Sequence, residues 1–243
     1  MVEHIIIEPL SAIWWKGILS AFFGLVIILV LFRKQSLVVK ENFCKILAIA
    51  FILAYLITII STIANGTWNI RDHLPLHLCR ISFIICTITL FNRKQWMYEW
   101  CLFLAIPSGL HSILTPELTN GLNNWNLFEY YFVHAGMLLV PLYLTYLIGM
   151  RPRVKAWLHS FYRLQIPAVL IFPLNFIIDS NYMYLKAKPI VDNPLLIGEW
   201  PYYILALQLI ALLHIYIIHL IVKPNINLNF LFFHSFENST KTN

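Results

Sequence analysis

The stretch Asp72-His73-Leu74-Pro75-Leu76-His77-Leu78-Cys79-Arg80 opens a long apolar run with two imidazoles, a proline, a thiol and a guanidinium. Ionisable groups at membrane depth are costly, and their presence there points first to function. If the helix begins at Leu74, a turn of about 100° per residue puts His73, His77 and Arg80 on one stripe and Cys79, Ser82 and Cys86 on another. Cys79 then cannot take its base from His77. A nucleophilic Cys79 needs a histidine from a different helix.

The surroundings of this stretch are those of a membrane protein. Of 243 residues, 60% are hydrophobic and 12% charged, against about 25% charged in an ordinary soluble domain. Crossing the hydrocarbon core takes about twenty apolar residues. Seven such spans are expected: Ile13 to Phe32, Phe43 to Ala64, Leu74 to Phe91, Met97 to Thr115, Phe128 to Gly149, Trp157 to Asp179 and Pro201 to Val222. The expected architecture is an all-α, polytopic bundle of seven transmembrane helices, a single domain over 1–224 followed by a polar cytoplasmic tail over 225–243. The tail is expected to fray. No positively charged segment precedes the first span, so that span is expected to stay in the protein.

Basic residues set the orientation. Arg33, Lys34, Lys40, Lys45, Arg93, Lys94, Arg151, Arg153, Lys155, Lys223 and Lys241 fall in alternate loops, while the opposite loops hold Arg71, Lys186 and Lys188. The positive-inside rule then places the N-terminus outside and the C-terminus in the cytoplasm. The net charge of +6 belongs to loops facing anionic lipid, and nucleic-acid binding is not expected. Pro107-Ser108-Gly109, Pro141, Pro167 and Pro173 interrupt the fourth, fifth and sixth spans. They read as packing kinks or as backbone opened towards a watered cavity.

Depth along each span shows which polar groups can meet. At 1.5 Å per residue Cys79 lies about 7 to 8 Å below the outer end of the third span and His134 about 9 Å below that of the fifth. His111 is about 6 Å below the outer end of the fourth, and Asn175 and Asp179 reach the same side on the sixth. These groups share one layer if the loop at Asn181-Tyr182 folds over it. Arg80 and the nearby helix N-terminus would both favour a thiolate at Cys79. Cys44, Cys86 and Cys101 read as small packing residues, and no disulfide framework is indicated. His134 can be a structural histidine or the base, with His111 the competing base or a phosphate ligand. His159, His214, His219 and His234 fall towards the cytoplasmic half or the tail, outside the expected site. The i, i+4 spacing of His73 and His77 would suit zinc; with Arg80 on the same stripe and no HExxH motif, neither metal nor cofactor is expected.

The runs LPLHLC (74–79), GLHSILTPEL (109–118), YYFVHAG (130–136), NYMYLKAKP (181–189) and EWPYY (199–203) resemble the YwaF-like bacterial integral membrane family, in order and over most of the chain from Asn65 to Val222. That family is similar to a eukaryotic multi-pass acyltransferase family that moves fatty acyl chains onto ether lysophospholipids through a cysteine and a histidine. By motif the resemblance implies Cys79 and His134 as that pair. Ala135 stands where glycine is expected, and Arg80 where a small or acidic residue is.

The expectation is therefore a phospholipid acyltransferase of the bacterial cytoplasmic membrane, with phospholipid and lysophospholipid as partners. Cys79 is the nucleophile and His134 the base. Asn175 or Asn181 would orient the imidazole or bind the oxyanion, and Arg80 with His73 and His77 would hold the phosphate. Arg80 could instead snorkel or pair with a carboxylate such as Asp179. The alternatives are a phospholipid hydrolase using the same site and a non-enzymatic lipid-binding or transport protein.

Overall fold

A computed structural model describes residues 4–189 and 196–222; the expected tail and His234 lie outside the described residues. The chain is mostly helical. Its helices are α1 (Ala12–Phe32), α2 (Leu37–Ala64), α3 (Leu78–Asn92), α4 (Gln95–Trp100), α5 (Ile106–Leu114), α6 (Asn124–Tyr143), α7 (Ala156–Ile177) and α8 (Tyr202–Val222). A π-helical turn, Cys101–Ala105, joins α4 to α5, and another, Leu144–Ile148, extends α6. Two short strands, β1 (Ile5–Ile6) and β2 (Glu117–Leu118), pair antiparallel.

Helix ends follow local chemistry. Ser11, Ser36 and Asn123 are N-caps whose side-chain oxygens accept from Trp14, Val39 and Asn126 N–H, satisfying donors a helix start leaves open. Gly149, with φ +88°, ends the α6 rod in a left-handed conformation that a side chain would disfavour.

Among the described residues five helices are long and apolar enough to cross a membrane: α1, α2, α6 with its π-turn, α7 and α8. Their outward faces carry exposed aliphatic residues such as Val169, Leu170, Leu205 and Leu209, a continuous apolar surface that hydrocarbon accommodates and water does not. The central helix is α6, which packs on α1, α2, α3 and α5. Small residues let its neighbours close in. A Cβ at Gly136 would lie 2.2 Å from the Phe51 ring, and one at Gly109 of α5 would lie 2.9 Å from the His134 carbonyl oxygen.

The basic loops cluster at one end of the bundle. Arg93 pairs with Glu41 at 2.8 Å, and the buried Glu99 receives Arg153 at 2.6 Å and Arg163 at 3.3 Å. The opposite end carries the strand pair, the segment 65–77 and the loop after α7.

Three expectations about the helices change. The third helix begins at Leu78, four residues later than expected, because Pro75 and the extended backbone of His77 hold residues 74–77 in turns. His73, His77 and Arg80 therefore do not share a helical stripe. The second helix begins at Leu37, capped by Ser36, instead of at Phe43. Finally, α7 runs unbroken through Pro167 and Pro173, whereas the fourth span is interrupted by the π-turn just before Pro107.

Candidate functional site

A cavity of about 390 Å³ lies between α2, α3, α5, α6, α7, α8 and the loop after α7, and Cys79, His134, His77, Arg80 and His111 all line it. The loop does fold over the layer, contributing Met183, Tyr184 and Leu185 to the wall.

Cys79 is the second residue of α3, whose N-cap, His77, makes no side-chain capping bond. The first N–H groups of such a helix point outward without intrahelical partners and carry its positive dipole end. Cys79 sits in that first turn, where the open N–H groups favour a nearby anion such as an oxyanion.

His134 faces the same cavity from the buried middle of α6. Its Nδ1–H donates to the Tyr130 carbonyl at 2.7 Å, which fixes the neutral tautomer and leaves Nε2 as an acceptor. The Tyr130 ring lies 4.3 Å from the imidazole, and its hydroxyl donates to the Ser112 carbonyl at 2.8 Å. No hydrogen bond links the Cys79 thiol to an imidazole among the described residues.

Arg80 pairs with Glu129 of α6 at 2.7 Å, and Asp179 with Lys186 at 2.6 Å and Arg71 at 3.3 Å. The expected pairing of Arg80 with a carboxylate is found, with Glu129 in place of Asp179, as a mostly buried ion pair inside the bundle. Its mutual neutralisation leaves less charge for a phosphate than a free guanidinium would offer.

His77 is held by the covering loop. Met183 N–H donates to His77 Nδ1 at 3.3 Å, leaving Nε2–H as the remaining donor of the neutral ring, and the Tyr182 and Tyr184 rings each lie 5.2 Å away. His73 belongs to the turns, bonded to Asn120 at 3.0 Å. Among the described residues no group of three or more His, Cys, Asp and Glu is arranged to hold a metal ion.

Asn175 and Asn181 stand away from the cavity. Buried Asn175 clamps the loop, accepting from Tyr182 N–H and Ser180 Oγ and donating to the Tyr182 carbonyl, all at 2.8 to 2.9 Å. Asn181 bonds the backbone of Lys186 and Ala187. Both amides shape the lid of the site, in place of the imidazole or oxyanion contact expected for one of them. Tyr182 completes the clamp, its hydroxyl donating to the Ile70 carbonyl at 2.7 Å and accepting from Leu74 N–H at 2.9 Å.

His214, Glu117 and Tyr184 also line the cavity and were outside the expected site. His214 of α8 meets His111 with Nε2 to Nε2 at 3.2 Å. Because His214 Nδ1–H donates to the Ile210 carbonyl at 2.7 Å, its Nε2 accepts, and His111 must donate from Nε2 and keep Nδ1 as an acceptor. Glu117 of β2 is a hub: it takes His4 Nδ1 at 2.7 Å and the Tyr184 hydroxyl at 3.3 Å. Its hydrogen bond to His4 raises the pKa of that imidazole, while burial pushes the Tyr184 phenol upward. Tyr203 donates in turn to the Tyr184 carbonyl.

The other cysteines are free thiols in the core: Cys44, Cys86 and Cys101 are fully buried. Cys101 contacts Thr89 Oγ1 at 3.5 Å.

No curated protein and no solved structure matches the chain. Residues 5–219 match the TMEM164 family model, a span that takes in every cavity element described above, and the chain belongs to the TMEM164 family.

Proposed function

We propose that this protein is a membrane-embedded acyltransferase that moves a fatty acyl chain between phospholipids. In this reading α3 and the broken α4–α5 rod cross the membrane beside the five longer helices. The N-terminus lies outside, and the basic loops face the cytoplasm of a bacterial cell. Kinship with YwaF-like proteins belongs to the same proposal.

Cys79 thiolate attacks the ester carbonyl of a donor phospholipid, its proton having passed to His134 Nε2. The tetrahedral oxyanion takes hydrogen bonds from the uncapped N–H groups of the first turn of α3. Collapse breaks the ester C–O bond, and the imidazolium returns its proton to the departing lysolipid oxygen. The hydroxyl of an acceptor lysophospholipid then gives its proton to His134 and attacks the thioester, releasing the thiolate. Water in place of that acceptor would yield a free fatty acid.

The observation that carries this reading is the shared cavity. A thiol at an uncapped helix N-terminus and an imidazole with Nε2 left as acceptor line the same space. The test uses purified protein in vesicles with a donor phospholipid bearing an isotopically labelled acyl chain and an unlabelled lysophospholipid. Label should appear on the acceptor, and Cys79→Ala should abolish the transfer. Label appearing only as free fatty acid would make the protein a hydrolase, and full transfer by Cys79→Ala would reject the mechanism.

A further inference from the structure

The cavity wall carries the polar groups Cys79, His134, Glu117 and Tyr184 and extends onto α7 and α8. On α8 the apolar lining residues Ile204, Leu207, Ala211 and Ile215 recur every three to four positions, with Gln208 and His214 among them, and Leu164 and Ala168 of α7 line the same space. From Ile204 to Ile215 this arm of the wall is about 16 Å long at 1.5 Å per residue.

The whole cavity, about 390 Å³, lies within the range of small-molecule pockets, room for an acyl chain.

The wall between the arm and the outside is one helix thick. Leu205, Leu209 and Leu213, on the opposite face of α8, are 64%, 70% and 55% exposed. Gln165 of α7 donates to Gln208 of α8 at 2.9 Å, a polar tie across two apolar helices, and Gln208 itself lines the cavity. Side-chain hydrogen bonds of this kind between membrane helices contribute little, so thermal motion can open the tie.

We infer that the arm between α7 and α8 receives an acyl chain of a phospholipid from the side, through the seam closed by the Gln165–Gln208 hydrogen bond, with the ester at Cys79. The inference rests on the acyl-transfer reading for the identity of the chain. It adds the place where that chain lies and its route.

The test is a phosphatidylcholine carrying a photoreactive diazirine near the end of one acyl chain, reconstituted with the full-length protein, irradiated, and mapped by peptide mass spectrometry. Adducts should form on the inner residues Leu164, Leu207 and Ala211 as well as on outward Leu209. The inner adducts should persist in Cys79→Ala, which separates chain binding from the chemistry. Filling the arm with Ala211→Trp, or with Ala168→Phe should the first variant fail to fold, should remove the inner adducts and spare the outer one. Adducts confined to outward residues, or inner adducts that survive a folded filling variant, would overturn the inference. Loss of transfer in Cys79→Ala with inner adducts intact supports both readings. Retained transfer in Cys79→Ala removes the nucleophile alone.

Discussion

Arg80 of α3 and Glu129 of α6 form an ion pair at 2.7 Å, with the Glu129 side chain 4% exposed. Arg80 follows Cys79 in sequence, and Glu129 lies five residues before His134 on the same helix. The pair therefore ties together the two helices that carry the candidate nucleophile and base. Removing one member of a buried pair leaves an uncompensated charge and costs about 3 to 5 kcal/mol. Arg80→Gln and Glu129→Gln should each lower thermal stability in detergent markedly, whereas the double variant Arg80→Met with Glu129→Leu should recover most of the loss. Single variants as stable as the parent would show that the pair does not hold α3 to α6.

The loop over the cavity depends on Asn175, whose amide makes three buried hydrogen bonds to Ser180 and Tyr182. Asn175→Leu keeps the volume and leaves the Tyr182 N–H and carbonyl without these partners, at about 1 to 3 kcal/mol for each buried group. Amide exchange across 181–187 should rise, and with it exchange at Met183, whose N–H holds His77. Unchanged exchange at those positions would show that the loop is held by other contacts.

His4 and Glu117 give the end of the bundle that carries the strand pair a pH response. Their hydrogen bond raises the His4 pKa above its ordinary value of 6.5. The protonated imidazole is thus favoured in the folded state. The stabilisation is complete below about pH 6.5 and is lost as pH rises through the raised value. Ile7 N–H, which donates to the Pro116 carbonyl at 3.0 Å next to this pair, should lose exchange protection between pH 6 and 9 after correction for the intrinsic rate. His4→Gln should remove that pH dependence. A parent protein with flat protection would show that β1 is held without the charge.

The meeting of Cys79, His134, His77 and His111 in one cavity was legible because depth can be counted along helices whose ends the apolar runs mark. What the count could not give was the exact start of α3. Pro75 and an extended His77 delay the helix, which removes the stripe expected for the two histidines and puts Cys79 in the first turn. Glu129 lies near the rim of its span and carries a signal that went unused: an acidic residue one position inside an apolar run, which the depth count put well above Arg80. His214 was excluded by counting inwards from Pro201, yet it reaches His111 from α8. Gln208 on the same helix was the available hint, a polar residue amid the aliphatic stripe. Asn175 and Asn181 have the right chemistry for an oxyanion site, but hydrogen bonds to a loop backbone cannot be told from bonds to a substrate in sequence alone.

Two imidazoles in the cavity compete for the role of base, and their hydrogen bonds distinguish them. His134 Nδ1–H is bound to its own helix, so Nε2 can take a proton and the resulting charge would lie beside Arg80 and Glu129. His111 is tied to His214 through Nε2 and can accept only at Nδ1. If His134 is the base, His134→Ala should slow acyl transfer about 100-fold or more. The double variant with Cys79→Ala should then be no worse than Cys79→Ala alone, because both residues serve one step. His111→Ala and His214→Ala should retain most of the rate. Labelling of Cys79 by an alkyl-chain iodoacetamide gives a readout independent of lipid turnover: it should fall in His134→Ala and hold in His111→Ala. The reverse pattern would assign the proton to His111 and make His214 the residue that fixes its tautomer.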